Sequence, residues 1–178
     1  LAGIRTSGDL IADGKITINF NGTGYDMYGI SASGKSQVKI NAADIDIYSS
    51  RADDSTIGIS AYGQKFDAQN LDISVSGKYI VTGIDVGNSS TMEVKDKTII
   101  NVENTYTNQN NSGLSYGIKI NGGKFESNTV DITAKGPYGE SIGVYLADKN
   151  AVVDIKEGGI IKAVGGINGN KYAVAKAR

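Results

Sequence analysis

Residues 29–47 read GISASGKSQVKINAADIDI. Three pairs of apolar residues stand at alternate positions in it, Ile30 and Ala32, Val38 and Ile40, Ile45 and Ile47, separated by stretches containing Gly, Ser, Asn and Asp. Alternation with period two is the mark of a strand buried on one side, and turn-forming residues between such short runs mark corners. The same reading recurs along the chain. A small residue followed by a branched aliphatic opens each unit, at Gly3-Ile4, Gly29-Ile30, Gly58-Ile59, Gly83-Ile84, Gly117-Ile118, Gly143-Val144 and Ala173-Val174, at intervals of 25 to 34 residues. A recurrence at this period signifies a stacked array.

Aligned on these anchors, every unit carries three apolar segments. The anchor segment comes first. The second places Leu10, Val38, Phe66, Met92, Phe125 and Val153 in one column, and the third does the same with Ile18, Ile45, Ile73, Ile100, Ile132 and Ile161. Three strands of about five residues leave no room for a crossover helix, so the chain has to turn a corner after each. Stacking equivalent strands in parallel, at roughly 4.8 Å per coil, pairs each backbone donor and acceptor with the coil above or below. The expected fold is therefore all-β: a right-handed parallel β-helix of about six coils, with three short strands per coil. An antiparallel sandwich also accommodates short strands, but gives no reason for the three-part order to persist. Residues 1–178 read as one such domain, and as a fragment of a longer array.

Composition narrows the chemistry. The 178 residues hold 24 glycines, one proline (Pro137) and no His, Cys or Trp, and 18 basic against 19 acidic side chains leave a net charge of -1. No broad field is available to attract nucleic acid or an anionic membrane, and no apolar run is long enough to cross a bilayer. Without His or Cys, Ser-His-Asp and Cys-His nucleophile systems and imidazole or thiolate metal sites cannot be built. No cofactor or metal is expected, and the chain reads as a non-enzyme. The alternative is a polysaccharide-degrading enzyme using Asp44 and Asp72, which fall in one outward column, with Asp46 beside them. On adjacent coils two such carboxylates stand about 5 Å apart, as in a retaining glycosidase. Asp53 and Asp54, or the 165–170 glycine run, lack the oxygens or the loop that a calcium ion requires.

At Tyr28-Gly29-Ile30, Asp44-Ile45-Asp46-Ile47, Leu71-Asp72-Ile73-Ser74-Val75 and Tyr116-Gly117-Ile118 the sequence resembles the passenger domains of Gram-negative type V autotransporters, and the resemblance extends over the whole chain. It implies a secreted right-handed β-helix on the bacterial surface, tethered to the outer membrane by a domain outside these residues. It also suits the absence of cysteine, since a passenger crosses the outer membrane extended. Adhesins, self-associating factors, toxins and proteases all occur in that family.

The repeats are least regular in one place. From the third segment to the next anchor the chain takes 8 residues between Val75 and Gly83 but 15 between Val102 and Gly117. In solenoids, insertions gathered at one corner mark a binding face. Most of the ten tyrosines lie there. Tyr28, Tyr116 and Tyr172 directly precede anchors and are expected to pack a corner; Tyr62 and Tyr145 point outward from the anchor segment. Tyr25, Tyr48, Tyr79, Tyr106 and Tyr138 remain as an exposed aromatic strip, with Arg51 beside Tyr48 and the amides Asn108 and Asn110 in the longest loop. Tyrosine offers contact area, little rotamer entropy to lose and a polar tip. The expected function is adhesion or self-association at the cell surface, through a host protein, a glycan or a like protein. An inert stalk is the bland alternative.

Overall fold

The computed structural model describes residues 1–35, 37–51, 54–87, 89–107, 113–165 and 170–176, and among them there is no helix. Thirteen strands follow in order: β1 (Ala2–Thr6), β2 (Leu10–Gly22), β3 (Met27–Ser33), β4 (Gln37–Ser49), β5 (Ser55–Tyr62), β6 (Lys65–Gly77), β7 (Ile80–Gly87), β8 (Thr91–Asn104), β9 (Leu114–Asn121), β10 (Lys124–Gly136), β11 (Ser141–Leu146), β12 (Val152–Gly165) and β13 (Lys171–Lys176). The odd strands stack in parallel into a seven-stranded sheet in the order β1-β3-β5-β7-β9-β11-β13, and the even strands into a six-stranded sheet running β2 to β12. This is a β-solenoid of about six coils. Each even strand contains both the second and the third apolar segment. The two run on as one hydrogen-bonded ribbon, and β6 and β8 show where it bends, with a register shift between Ala68 and Asn70.

The registers place the repeated residues in interior ladders. Ile30 lies opposite Ile59, Ile59 opposite Ile84 and Ile84 opposite Ile118. Ile45, Ile73, Ile100 and Ile132 form a second ladder, and Val38, Phe66, Met92 and Phe125 a third. All twelve side chains are fully shielded from solvent. Burying each of them contributes about 1.5–3 kcal/mol, so the ladders supply the main stabilisation and fix the register together.

The anchor glycine has a steric cause. A Cβ on Gly29 would meet Ile45 Cγ2 at 2.6 Å and the Gly58 carbonyl oxygen at 2.5 Å. The hydrogen atom of Gly29 therefore faces inward against the isoleucine ladder, and Ile30 after it also faces inward. Two successive inward positions bend the strand and leave Tyr28 and Ser31, on either side, on the outer face.

Candidate functional site

Two outer surfaces carry the polar and aromatic chemistry. The first is the edge formed by the corners that lead from each even strand to the next odd one. There the Arg51 guanidinium carbon lies 3.9 Å from the centre of the Tyr25 ring. Arg51 Nε also pairs with an Asp54 carboxylate oxygen at 2.6 Å, so this arginine holds an aromatic ring and a carboxylate at once. Tyr25 is 69% exposed and Tyr48 39%, whereas Tyr79, Tyr106 and Tyr138 are half-buried. Asn104, at the end of β8, ties two of these corners together. Its amide nitrogen donates to the Tyr79 carbonyl at 2.6 Å, and its Oδ1 accepts the Tyr106 backbone N–H at 2.9 Å. Buried and bonded on both sides, Asn104 holds the corners of Tyr79 and Tyr106 at a fixed separation. Beside them an open groove of about 440 Å³ runs between Thr105 and Thr107 on one corner and Lys135 and Pro137 on the next. Asn108 and Asn110 lie outside the described residues, as does Asp53.

The carboxylate pair on the third segment is placed as its spacing predicts. Asp44 lies opposite Asp72, and Asp46 opposite Ser74. Lys15 on the preceding coil reaches Asp44 Oδ2 at 2.8 Å. Among the described residues no group of three or more acidic side chains is placed to hold a metal ion.

The second surface is the outer face of the seven-stranded sheet, and sequence reasoning did not assemble it. Register brings Ser60, Asp85, Lys119 and Tyr145 into one outward column on β5, β7, β9 and β11. A neighbouring column holds Tyr28, Ile57, Thr82, Tyr116 and Ile142. Tyr62 extends from β5 across the next coil. Its ring occupies the space beside Gly87, where a Cβ would come within 2.8 Å of the ring carbon Cζ, and its hydroxyl donates to Asp85 Oδ2 at 2.9 Å. The rings of Tyr116 and Tyr145 stack with centroids 5.4 Å apart and planes inclined by 22°. Lys119 Nζ lies 5.9 Å from the centre of the Tyr116 ring.

Tyr62 lies against Asp85 through its hydroxyl. Asp85 is only 6% exposed, and its Oδ1 has no hydrogen-bond partner among the described residues. Burial pushes its carboxyl above the ordinary carboxylate value, although the Lys119 charge and the Tyr62 hydroxyl pull the other way. Burial likewise raises the Tyr116 phenol, to about 12, assisted by Tyr145 and Glu140. Tyr62 is raised further, by burial and by its proximity to Asp85. Tyr28 and Tyr116, expected to pack a corner, stand instead within β3 and β9 on this outer face, half-buried and buried, because the strand already begins before the anchor glycine; Tyr172 on β13 is 43% exposed.

No family model, curated protein or solved structure matches the chain.

Proposed function

We propose that the chain is a rigid adhesion or self-association module displayed outside the cell, in the manner of an autotransporter passenger, and that it makes contact through the corner edge. What supports this reading is the stacking of tyrosine-bearing corners by the solenoid register. Tyr25 with Arg51, then Tyr48, Tyr79, Tyr106 and Tyr138 succeed one another along one side of a rod whose coils repeat at roughly 4.8 Å. A row of modest contacts at fixed spacing gains avidity without a deep pocket, because each contact made raises the effective concentration of the next. The partner is a host-surface protein, a glycan or a second copy of the chain.

The test is the double variant Tyr106→Ala/Tyr138→Ala, measured for attachment to cultured epithelial cells and for self-association by analytical sedimentation. Half-buried tyrosines at a contact centre carry a large share of binding energy, so loss of both should weaken one of the two readouts about tenfold or more. Melting should stay close to wild type. Unchanged attachment and unchanged self-association would remove this edge from consideration.

A further inference from the structure

The outer face of the seven-stranded sheet has features that packing alone does not require. Asp85 keeps one carboxylate oxygen buried and unbonded, an omission that ordinarily costs about 1–3 kcal/mol. A donor stands within reach. Lys119 is the register partner of Asp85 on the adjacent coil, about 4.8 Å away along the rod. Yet the two form no ion pair of 4 Å or less among the described residues, and the ammonium is directed over the Tyr116 ring instead. A carboxylate bonded through Oδ2 to Tyr62 and an ammonium resting over Tyr116 thus stand on adjacent coils without an ion pair between them, on strands rather than on loops.

The complement of such a site is a group that donates at one point and accepts at a neighbouring one. A hydroxyl does both, and two adjacent hydroxyls on a sugar ring present them side by side. The opposite charges of Asp85 and Lys119 cancel, which favours a neutral ligand over an acidic or a basic one. Tyr62 and Tyr145, both half-buried, supply aromatic surface for the C–H face of a pyranose, with hydroxyl tips at its rim. Gly87 shows that the arrangement is built rather than incidental, since any side chain there would expel the Tyr62 ring that positions Asp85.

We infer that this face binds one pyranose unit of a neutral oligosaccharide, its adjacent hydroxyls bridging Asp85 and Lys119 and its apolar face lying against the tyrosine rings. Lys119, the flexible member, swings from Tyr116 toward the sugar. The site lies on a different face from the corner edge and does not depend on that edge being adhesive. A peptide also offers donors and acceptors, but it lacks a rigid pair of adjacent hydroxyls and a C–H face.

Saturation-transfer NMR with mannotriose, galactotriose and cellotriose, followed by calorimetric titration, tests the inference. At least one of the three should bind, with Kd on the order of 1 mM, as one shallow ring site allows. Asp85→Ala, Lys119→Met and Tyr145→Ala should each raise that Kd about tenfold or more, and Lys119→Met retains the stem that packs on the sheet. Tyr106→Ala/Tyr138→Ala should leave it unchanged, so failure of the sugar site and failure of the adhesive edge give different results. No transfer to any of the three sugars would overturn the inference. So would binding that Lys119→Met and Tyr145→Ala leave intact, or transfer seen only to a tryptic peptide mixture.

Discussion

Replacing Gly58 by alanine tests the geometry that organises the whole rod. A Cβ at that position would lie 2.5 Å from Ile73 Cγ2 and 2.5 Å from the Gly83 carbonyl oxygen, where ordinary contact begins at 3.4 Å. Each neighbour would have to retreat by roughly 0.9 Å. Ile73 is fully buried in its ladder between Ile45 and Ile100, so it cannot rotate away without displacing them. The Gly83 carbonyl belongs to the adjacent strand β7 and moves only by loosening the hydrogen bonds between coils. Overpacking of a core costs about 1–3 kcal/mol, and a site confined by backbone as well as side chain belongs at the upper end. At about 2–4 °C per kcal/mol for a chain of this size, Tm should fall by about 6–12 °C in a thermal melt followed by circular dichroism. Gly14→Ala is the control, since no atom lies within 4 Å of its Cβ position, and its Tm should shift by about 2 °C or less. A Gly58→Ala protein that melts within about 2 °C of wild type would refute the steric account. The chain itself admits alanine in this column only at Ala173 on β13, beyond which no described strand stacks.

The ladders and the outer face set other outcomes. Ile100→Ala, which empties a fully buried ladder position, should destabilise by about 2–5 kcal/mol in urea unfolding, whereas Lys15→Met, which breaks an exposed ion pair with Asp44, should cost at most about 1 kcal/mol. Because the folded state raises the Asp85 carboxyl, its contribution to stability is fully present below the ordinary carboxylate value and is lost as pH rises through the raised one. Asp85→Asn should therefore raise Tm near neutral pH, with the gain shrinking toward acid; an unchanged Tm at both ends would contradict the burial argument. Tyr116, raised to about 12, stabilises the fold up to its ordinary value of 10.0 and loses that contribution as pH climbs through 12. Phenolate absorbance should show a component titrating near 12 that Tyr116→Phe removes, while the still later Tyr62 remains.

How much of this was legible beforehand depended on which way a residue points. Inward positions repeat because each coil presents the same volume to its neighbours, so Ile45, Ile73, Ile100 and Ile132 could be aligned by type alone, and their registers follow. Outward positions have no such constraint. Ser60, Asp85, Lys119 and Tyr145 share no chemistry, and only their common place two residues past an anchor glycine would have joined them. That signal was present, since Tyr62 and Gly87 likewise stand four past theirs. Residue type pointed to the loops and not to the sheet face. The second and third segments read as separate strands because the residues between them break the alternation, and each coil does hold three strands, the last two joined through a shifted register.

The sequence by itself determined the array, its three apolar segments per coil, their ladders and the edge where its corners vary, because each follows from local alternation and from recurrence along the chain. Only the tertiary structure decided why the anchor is small, that Asn104 joins the corners of Tyr79 and Tyr106, and that Tyr62 reaches Asp85 across Gly87. Those contacts bridge 23 residues in the case of Tyr62 and Asp85 and 25 in that of Asn104 and Tyr79. They exist because coils distant in sequence lie one strand apart in space, where a side chain meets its neighbour above and below rather than before and after.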